Sequence, residues 1–127
     1  MARVSDAPPH LDDLPSFQTL DGSLIRELAG PAWTAARAQS LAEATVPPGA
    51  ATAEHYHVVS EEIYYFTAGS GRMRLGDETF AVRAGHCLVI PPGVRHKLFN
   101  PDAENALVLL CACAPAYSDE DTVITES

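Results

Sequence analysis

The sequence predicts an all-β chain, folded as a single barrel of two wrapped sheets behind an N-terminal arm, and three observations carry that prediction. Short apolar runs recur at strand length, separated by Gly, Pro or Asp punctuation, which is the spacing of strands and turns. No segment sustains the clean 3.6-residue apolar period of a surface helix. Two of the strands end in the same phrase, Val46-Pro47-Pro48-Gly49 and Ile90-Pro91-Pro92-Gly93, and a histidine follows each within a few residues.

Residues 1–21 hold Pro and Asp with scattered Leu and Phe17, the composition of an irregular arm. Strand texture begins at Leu24–Leu28. Alanine is abundant over Ala32–Ala44, but its apolar residues lack helical phase, so a strand Leu41–Val46 ending at Pro47 is expected. The runs Ile63–Thr67, Arg72–Leu75, Thr79–Arg83, Cys87–Ile90 and Leu107–Cys113 complete the strands. Gly69-Ser70-Gly71 and Gly76-Asp77 are expected as hairpin turns on either side of Arg72–Leu75. Pro at the first inner position and Gly where φ is positive account for the Pro-Pro-Gly turns as backbone devices. Residues 22–116 form the barrel domain, and 117–127 read as a loosely held acidic tail.

With 127 residues the chain holds one domain. Eight Lys and Arg face 17 Asp and Glu, a net charge of −9. Asp6, Asp12, Asp13 and Asp21 in the arm and Asp119, Glu120, Asp121 and Glu126 in the tail carry most of it, leaving nine acids against seven bases between them. Lys97 is the only lysine. Nothing here would neutralise a run of phosphates, so neither a nucleic acid nor an anionic membrane is expected as partner. Cys87, Cys111 and Cys113 cannot all pair, and the sequence lacks an apolar leader at Met1–Asp13; a reduced, cytoplasmic setting is expected.

The chemistry centres on His55-Tyr56-His57. Alternate strand residues share a face, so both imidazoles point the same way with Cα atoms about 6.5–7 Å apart, a spacing suited to one metal ion. Glu62 opens the next strand and His96 follows the second Pro-Pro-Gly turn. Three imidazoles and a carboxylate suit Mn, Fe, Ni, Cu or Zn and leave positions open on an ion that takes five or six ligands.

These residues resemble the two signatures of the cupin superfamily. Gly49, five residues, His55-x-His57, four residues, Glu62, six residues, Gly69 matches the first; Gly85, five residues, Pro91-x-Gly93, two residues, His96, three residues, Asn100 matches the second. His86 departs from the Asp many relatives carry at its position. The wording around Glu61-Glu62-Ile63-Tyr64-Tyr65 and Gly71-Arg72-Met73 is similar to small single-domain bacterial cupins often labelled mannose-6-phosphate-isomerase-like. The resemblance implies a double-stranded β-helix, or jelly-roll, barrel that holds one divalent metal through His55, His57, Glu62 and His96. It does not name a reaction, because relatives include dioxygenases, isomerases, decarboxylases, lyases and non-enzymatic binders.

Around that centre, Tyr64 and Phe66 share the phase of Glu62 and are expected inside, with the Tyr64 phenol a candidate catalytic group. Glu61 competes with Glu62 for the ligand role; the cupin spacing to Gly69 favours Glu62, and Glu61 then faces outward. Ala51 and Ala53 share the phase of His55 and are expected to leave space beside it, with Leu98 following His96 inward. Gln39, Glu43, Arg72 and Arg74 are further candidates for polar pocket groups, though an outward placement is favoured for each. Cys87, Cys111 and Cys113 are expected to fill core, His10 and His86 to be solvated, and Lys97 to point out. Phe17, Leu20, Leu24 and Ile25 need cover, from which a homodimer paired through the arm is expected. A metal-dependent enzyme on a small organic substrate is the expected activity; a non-catalytic module binding a sugar or carboxylate is the alternative.

Overall fold

In the strand Glu61–Ala68, Glu62, Tyr64 and Phe66 are buried while Glu61, Ile63 and Tyr65 are exposed, the period of two that a sheet with one dry face imposes. The structure, a computed structural model, describes residues 7–126. The first six residues of the expected arm, Asp6 among them, and Ser127 of the expected tail lie outside the described residues. The strands are β1 (Phe17–Gln18), β2 (Leu24–Ala29), β3 (Ser40–Val46), β4 (His55–His57), β5 (Glu61–Ala68), β6 (Ser70–Leu75), β7 (Glu78–Arg83), β8 (Cys87–Ile90), β9 (His96–Phe99), β10 (Leu107–Ala114) and β11 (Thr122–Ile124). Among the described residues the only helix is a single 3₁₀ turn, Leu11–Asp13, and no helix is long and apolar enough to cross a membrane.

Two antiparallel sheets face each other. One has the order β1-β2-β3-β10-β5-β8 and the other β11-β4-β9-β6-β7. Phe66, Met73, Leu107 and Leu109 interlock between them with no exposed surface, each such side chain stabilising the fold by about 1.5–3 kcal/mol. The other end of this interior holds the histidines and Glu62.

The Pro-Pro-Gly phrases are the turns expected of them. Ala50 N donates to Pro47 O and Val94 N to Pro91 O, and Gly49 and Gly93 take φ of 73° and 81°, which is the type II pattern of Pro then Gly at the inner positions. Buried Asn100 ties the first turn down: its amide donates to Val46 O, Pro47 O and Asn105 O. Gly76-Asp77 joins β6 to β7 with Leu75 opposite Glu78, a two-residue hairpin with its glycine at positive φ.

The Gly69-Ser70-Gly71 segment differs from expectation. β5 and β6 lie in different sheets, so this is the crossing between them. Gly69 takes φ +81°, and a Cβ there would meet Ala106 O at 2.2 Å; the glycine serves close backbone approach. Pro31–Gln39 is loop, and the strand after it starts at Ser40.

The chain ends also differ. The arm closes back on its own chain, Phe17 opposite Ile25 in β1–β2. The tail expected to be loose supplies β11, paired with β4 so that Thr122 lies opposite His57 and Ile124 opposite His55. Asp121 explains the attachment: Val59 N and Ser60 N donate to its carboxylate and Val58 N to its carbonyl. The signal for this strand is the β-branched run Thr122–Thr125, set among acidic residues.

Candidate metal centre

β4 is held between β11 and β9, and its pleat turns both His55 and His57 inward, leaving them 3% and 4% exposed. His96, opposite His55 in the register of β9, is 1% exposed. Across the interior β5 presents Glu62, 4% exposed. One ring nitrogen from each of the three histidines lies within 4.8 Å of the other two. Glu62 Oε1 stands 3.2 Å from His57 Nε2 and 3.5 Å from His96 Nε2. The structure thus brings together all four residues expected to meet.

The orientation of each ring follows from its outer nitrogen. His55 Nδ1 lies 2.8 Å from Ala53 O and His96 Nδ1 3.0 Å from Val94 O. A carbonyl only accepts, so each Nδ1 carries the proton and each Nε2 turns a lone pair inward. His57 Nδ1 lies 3.1 Å from Thr122 Oγ1, whose own proton goes to Ser118 O; the same tautomer results. Glu62 Oε1 and His96 Nε2 are buried with no hydrogen-bond partner. Unpaired buried acceptors are costly, and a set of three imidazole nitrogens and a carboxylate oxygen aimed at one another is the donor chemistry of a divalent metal site. The residues fit such an ion.

Burial and the neighbouring His96 push His55 below its ordinary pKa. Tyr64 is buried, its ring 5.9 Å from that of His96. Burial and the Glu62 charge keep its phenol far above the ordinary value, so it is a neutral donor.

Leu98 lines the cavity as expected, and Glu61, His10 and His86 are exposed. Lys97 turns away from the centre to pair with Glu126. Several expectations are corrected. Residues 52–54 are not strand; Thr52, not Ala51 or Ala53, is buried against the cavity, where its hydroxyl accepts from Leu98 N at 3.0 Å. Gln39, Glu43, Arg72 and Arg74 do not line the cavity, in agreement with the outward placement favoured for each; Arg74 pairs with Glu54 at 2.7 Å. Cys87 is exposed rather than core, because its side of β8 faces outward. Cys111 and Cys113 face the cavity.

Sequence reasoning missed Tyr117 and Thr122, which the C-terminal segment brings to the cavity, the Tyr117 ring 5.8 Å from that of His57. It also missed Asp21, whose Asp21-Gly22 pair signals a turn but not its neighbour; Oδ2 stands 3.6 Å from His55 Nε2. Among the described residues no Lys or Arg lines the cavity, and its wall includes Phe17, Ile25, Val46 and Leu109.

Comparison with known proteins places this geometry. A family model described as Cupin domain matches residues 42–113. An uncharacterized protein of Methanocaldococcus jannaschii is 46% identical over 115 residues, 91% of each chain. The polyketide synthase CurC of Streptomyces cyaneus is 36% identical over 85 residues, 67% of this chain and 55% of that protein. Among solved structures, Streptomyces Pac13 with uridine superposes with a TM-score of 0.76 at 18% identity, covering 97% of this chain and 93% of that one; Pac13 is described as a nucleoside dehydratase.

Proposed function

This chain belongs to the cupin domain family, and on that premise we propose that it is a metal-dependent enzyme acting on a small organic substrate. His55, His57, His96 and Glu62 hold one divalent ion, of the group Mn, Fe, Ni, Cu and Zn. The observation that carries the reading is the convergence of unpaired acceptors: Glu62 Oε1 and His96 Nε2, buried without partners, beside imidazoles whose Nδ1 protons are committed outward.

When bound, the ion supplies Lewis acidity toward a substrate oxygen. The chain does the rest. Ala53, Val94 and Thr122 fix the three rings, the apolar wall of Phe17, Ile25, Val46 and Leu109 excludes water, and Tyr64 offers a neutral phenol that orients or protonates the bound molecule. A wall without Lys or Arg among the described residues favours a compact molecule with few charges. Fold relatives that meet uridine and a sequence relative named as a polyketide synthase support a small organic substrate over a polymer. The reaction is of dioxygenase, isomerase, decarboxylase or lyase type.

Elemental analysis of natively purified protein tests the metal: about one equivalent is expected, lost in His57→Ala and His96→Ala with the barrel still folded. Oxygen uptake by an iron-loaded sample separates oxygenation from redox-neutral chemistry. The second reading is a non-catalytic binding module whose metal holds a sugar or carboxylate without turnover; a ligand recovered unchanged from the cavity after prolonged incubation with metal-loaded protein supports it.

The setting is proposed as cytoplasmic, with neither nucleic acid nor membrane as partner, which the acidic charge supports, and the unit as a homodimer. β1 pairs within its own chain, and one apolar surface left to cover is the outer face of the six-stranded sheet. There Ile63 lies opposite Val89 and Ala112, and Ala112 opposite Leu41, an uncharged stripe that a second copy would cover about a two-fold axis. Light scattering on the eluting species reads the outcome directly: a monomer mass rejects the dimer.

A further inference from the structure

Asp21 lies in the turn between β1 and β2 and is held from both sides. Its Oδ1 accepts from Thr19 Oγ1 at 2.7 Å, Ser23 N at 2.9 Å and Ser23 Oγ at 2.7 Å. Its backbone carbonyl accepts from Ala53 N at 2.7 Å, and Ala53 O in turn accepts from His55 Nδ1. One residue therefore positions both the Asp21 segment and the His55 ring. With Oδ1 satisfied, Oδ2 is left facing His55 Nε2 at 3.6 Å, its side chain only 13% exposed.

That contact is not a hydrogen bond. The His55 proton sits on Nδ1, toward Ala53 O, so Oδ2 and Nε2 confront each other as two lone-pair acceptors. Glu62 Oε1 confronts His57 and His96 in the same way. Two acceptors held face to face in a buried site repel unless a cation lies at their common focus. Adjacent donors each about 2.1 Å from one ion stand roughly 3.0–3.4 Å apart, and 3.6 Å falls within a few tenths of that range.

We propose that Asp21 is a fifth protein ligand to the metal held by His55, His57, His96 and Glu62, and that it thereby restricts the site to substrates presenting a single uncharged oxygen. The proposal rests on the metal-centre reading above. Two carboxylates and three neutral imidazoles balance a divalent ion, and among the described residues no Lys or Arg lines the cavity to recruit a further anion. Glu27, the remaining lining carboxylate, is taken by the Trp33 indole N–H at 3.0 Å. On an ion that takes six donors, five from the protein leave one position. A carbonyl or hydroxyl oxygen fits it; a chelating dianion does not.

The test uses Co(II), whose visible absorption reports its donor set, with calorimetry for affinity. Asp21→Asn keeps the Oδ1 acceptor and replaces only the oxygen facing His55; Asp21→Ala, measured in parallel, separates loss of the donor from insertion of an amide. Both should weaken Co(II) binding by about 10–100-fold and change the spectrum, with the metal-free melting curve of Asp21→Asn close to that of the wild type. Millimolar oxalate should leave the wild-type spectrum unmoved and shift that of each variant. Wild-type affinity and spectrum in both variants would overturn the role of Asp21 while the metal centre stands. Failure of the wild-type protein to bind Co(II), Zn(II) or Mn(II) would remove the centre itself, and Asp21 with it.

Discussion

The thiol of Cys113 donates to Glu62 Oε2 at 3.2 Å, and the two side chains meet because β10 and β5 pair with Cys113 opposite Glu62. One carboxylate oxygen is engaged by the sheet and the other, Oε1, is left for the imidazoles. Burial and the Glu62 charge hold the thiol above its ordinary pKa, so it keeps the proton it donates. The cysteine acts through Glu62, as a positioning residue.

Cys113→Ala should therefore weaken metal binding by about 10-fold, the size of effect that outer-shell partners carry, and Cys113→Ser, which restores a donor, should recover most of it. Calorimetric titration with Zn(II) reads both. Equal affinity in the wild type and the two variants would show that Glu62 needs no such support.

Thr122 gives the parallel prediction for His57. Its hydroxyl is the acceptor for Nδ1 while its proton is spent on Ser118 O. Thr122→Val keeps the shape and β-branching of β11 but leaves that Nδ1–H without a partner. A loss of about 10-fold or more in metal affinity is expected, with the strand intact by circular dichroism; unchanged affinity would detach the C-terminal segment from the centre.

Asp121 predicts an acid-sensitive edge. Burial works against its charge, but the amides of Ser60 and Val59 outweigh that and lower its pKa. A group lowered in the folded state stabilises fully above its unfolded value, about 3.9, and loses that contribution as pH falls through the folded value. Asp121→Ala should be less stable than the wild type at neutral pH by about 1–3 kcal/mol, the two denaturation curves converging as the solution is taken below about pH 4. A gap that persists unchanged in acid would contradict it.

Gly69→Ala tests the crossing between the sheets. The φ of +81° and the 2.2 Å approach of a Cβ to Ala106 O leave no room for side-chain relaxation, because the obstacle is backbone. A loss of more than about 2 kcal/mol is expected, larger than for Gly22→Ala, which carries the strain of a positive φ alone, about 1 kcal/mol, because its Cβ would meet nothing within 4 Å.

The strands were legible because one face of each had to be apolar, and Leu24, Ile63, Arg72, Thr79, Cys87 and Leu107 each lie at or within two residues of an observed strand start. The histidine pair was legible from pleat parity along β4, whereas the choice of Glu62 over the adjacent Glu61 came from the spacing to Gly69 shared with cupins, after which parity along β5 turns Tyr64 and Phe66 inward with it. Residues 51–53 misled because parity holds only within a strand, and that stretch is irregular, putting Thr52 inside instead of its alanine neighbours.

What the order of residues determines by itself is thus local: strand, turn, face, and the identity of four donors spaced to converge. Which sheet each strand joins, and what stands behind or across from a donor, depends on pairing between segments far apart in the chain. Cys113 reaches Glu62 through β10–β5, Thr122 reaches His57 through β11–β4, and Asp21 reaches His55 through a single amide of Ala53. No periodicity marks those neighbours, since a hydrogen bond between distant strands leaves no trace in the spacing of either; closure of the barrel alone brings them together.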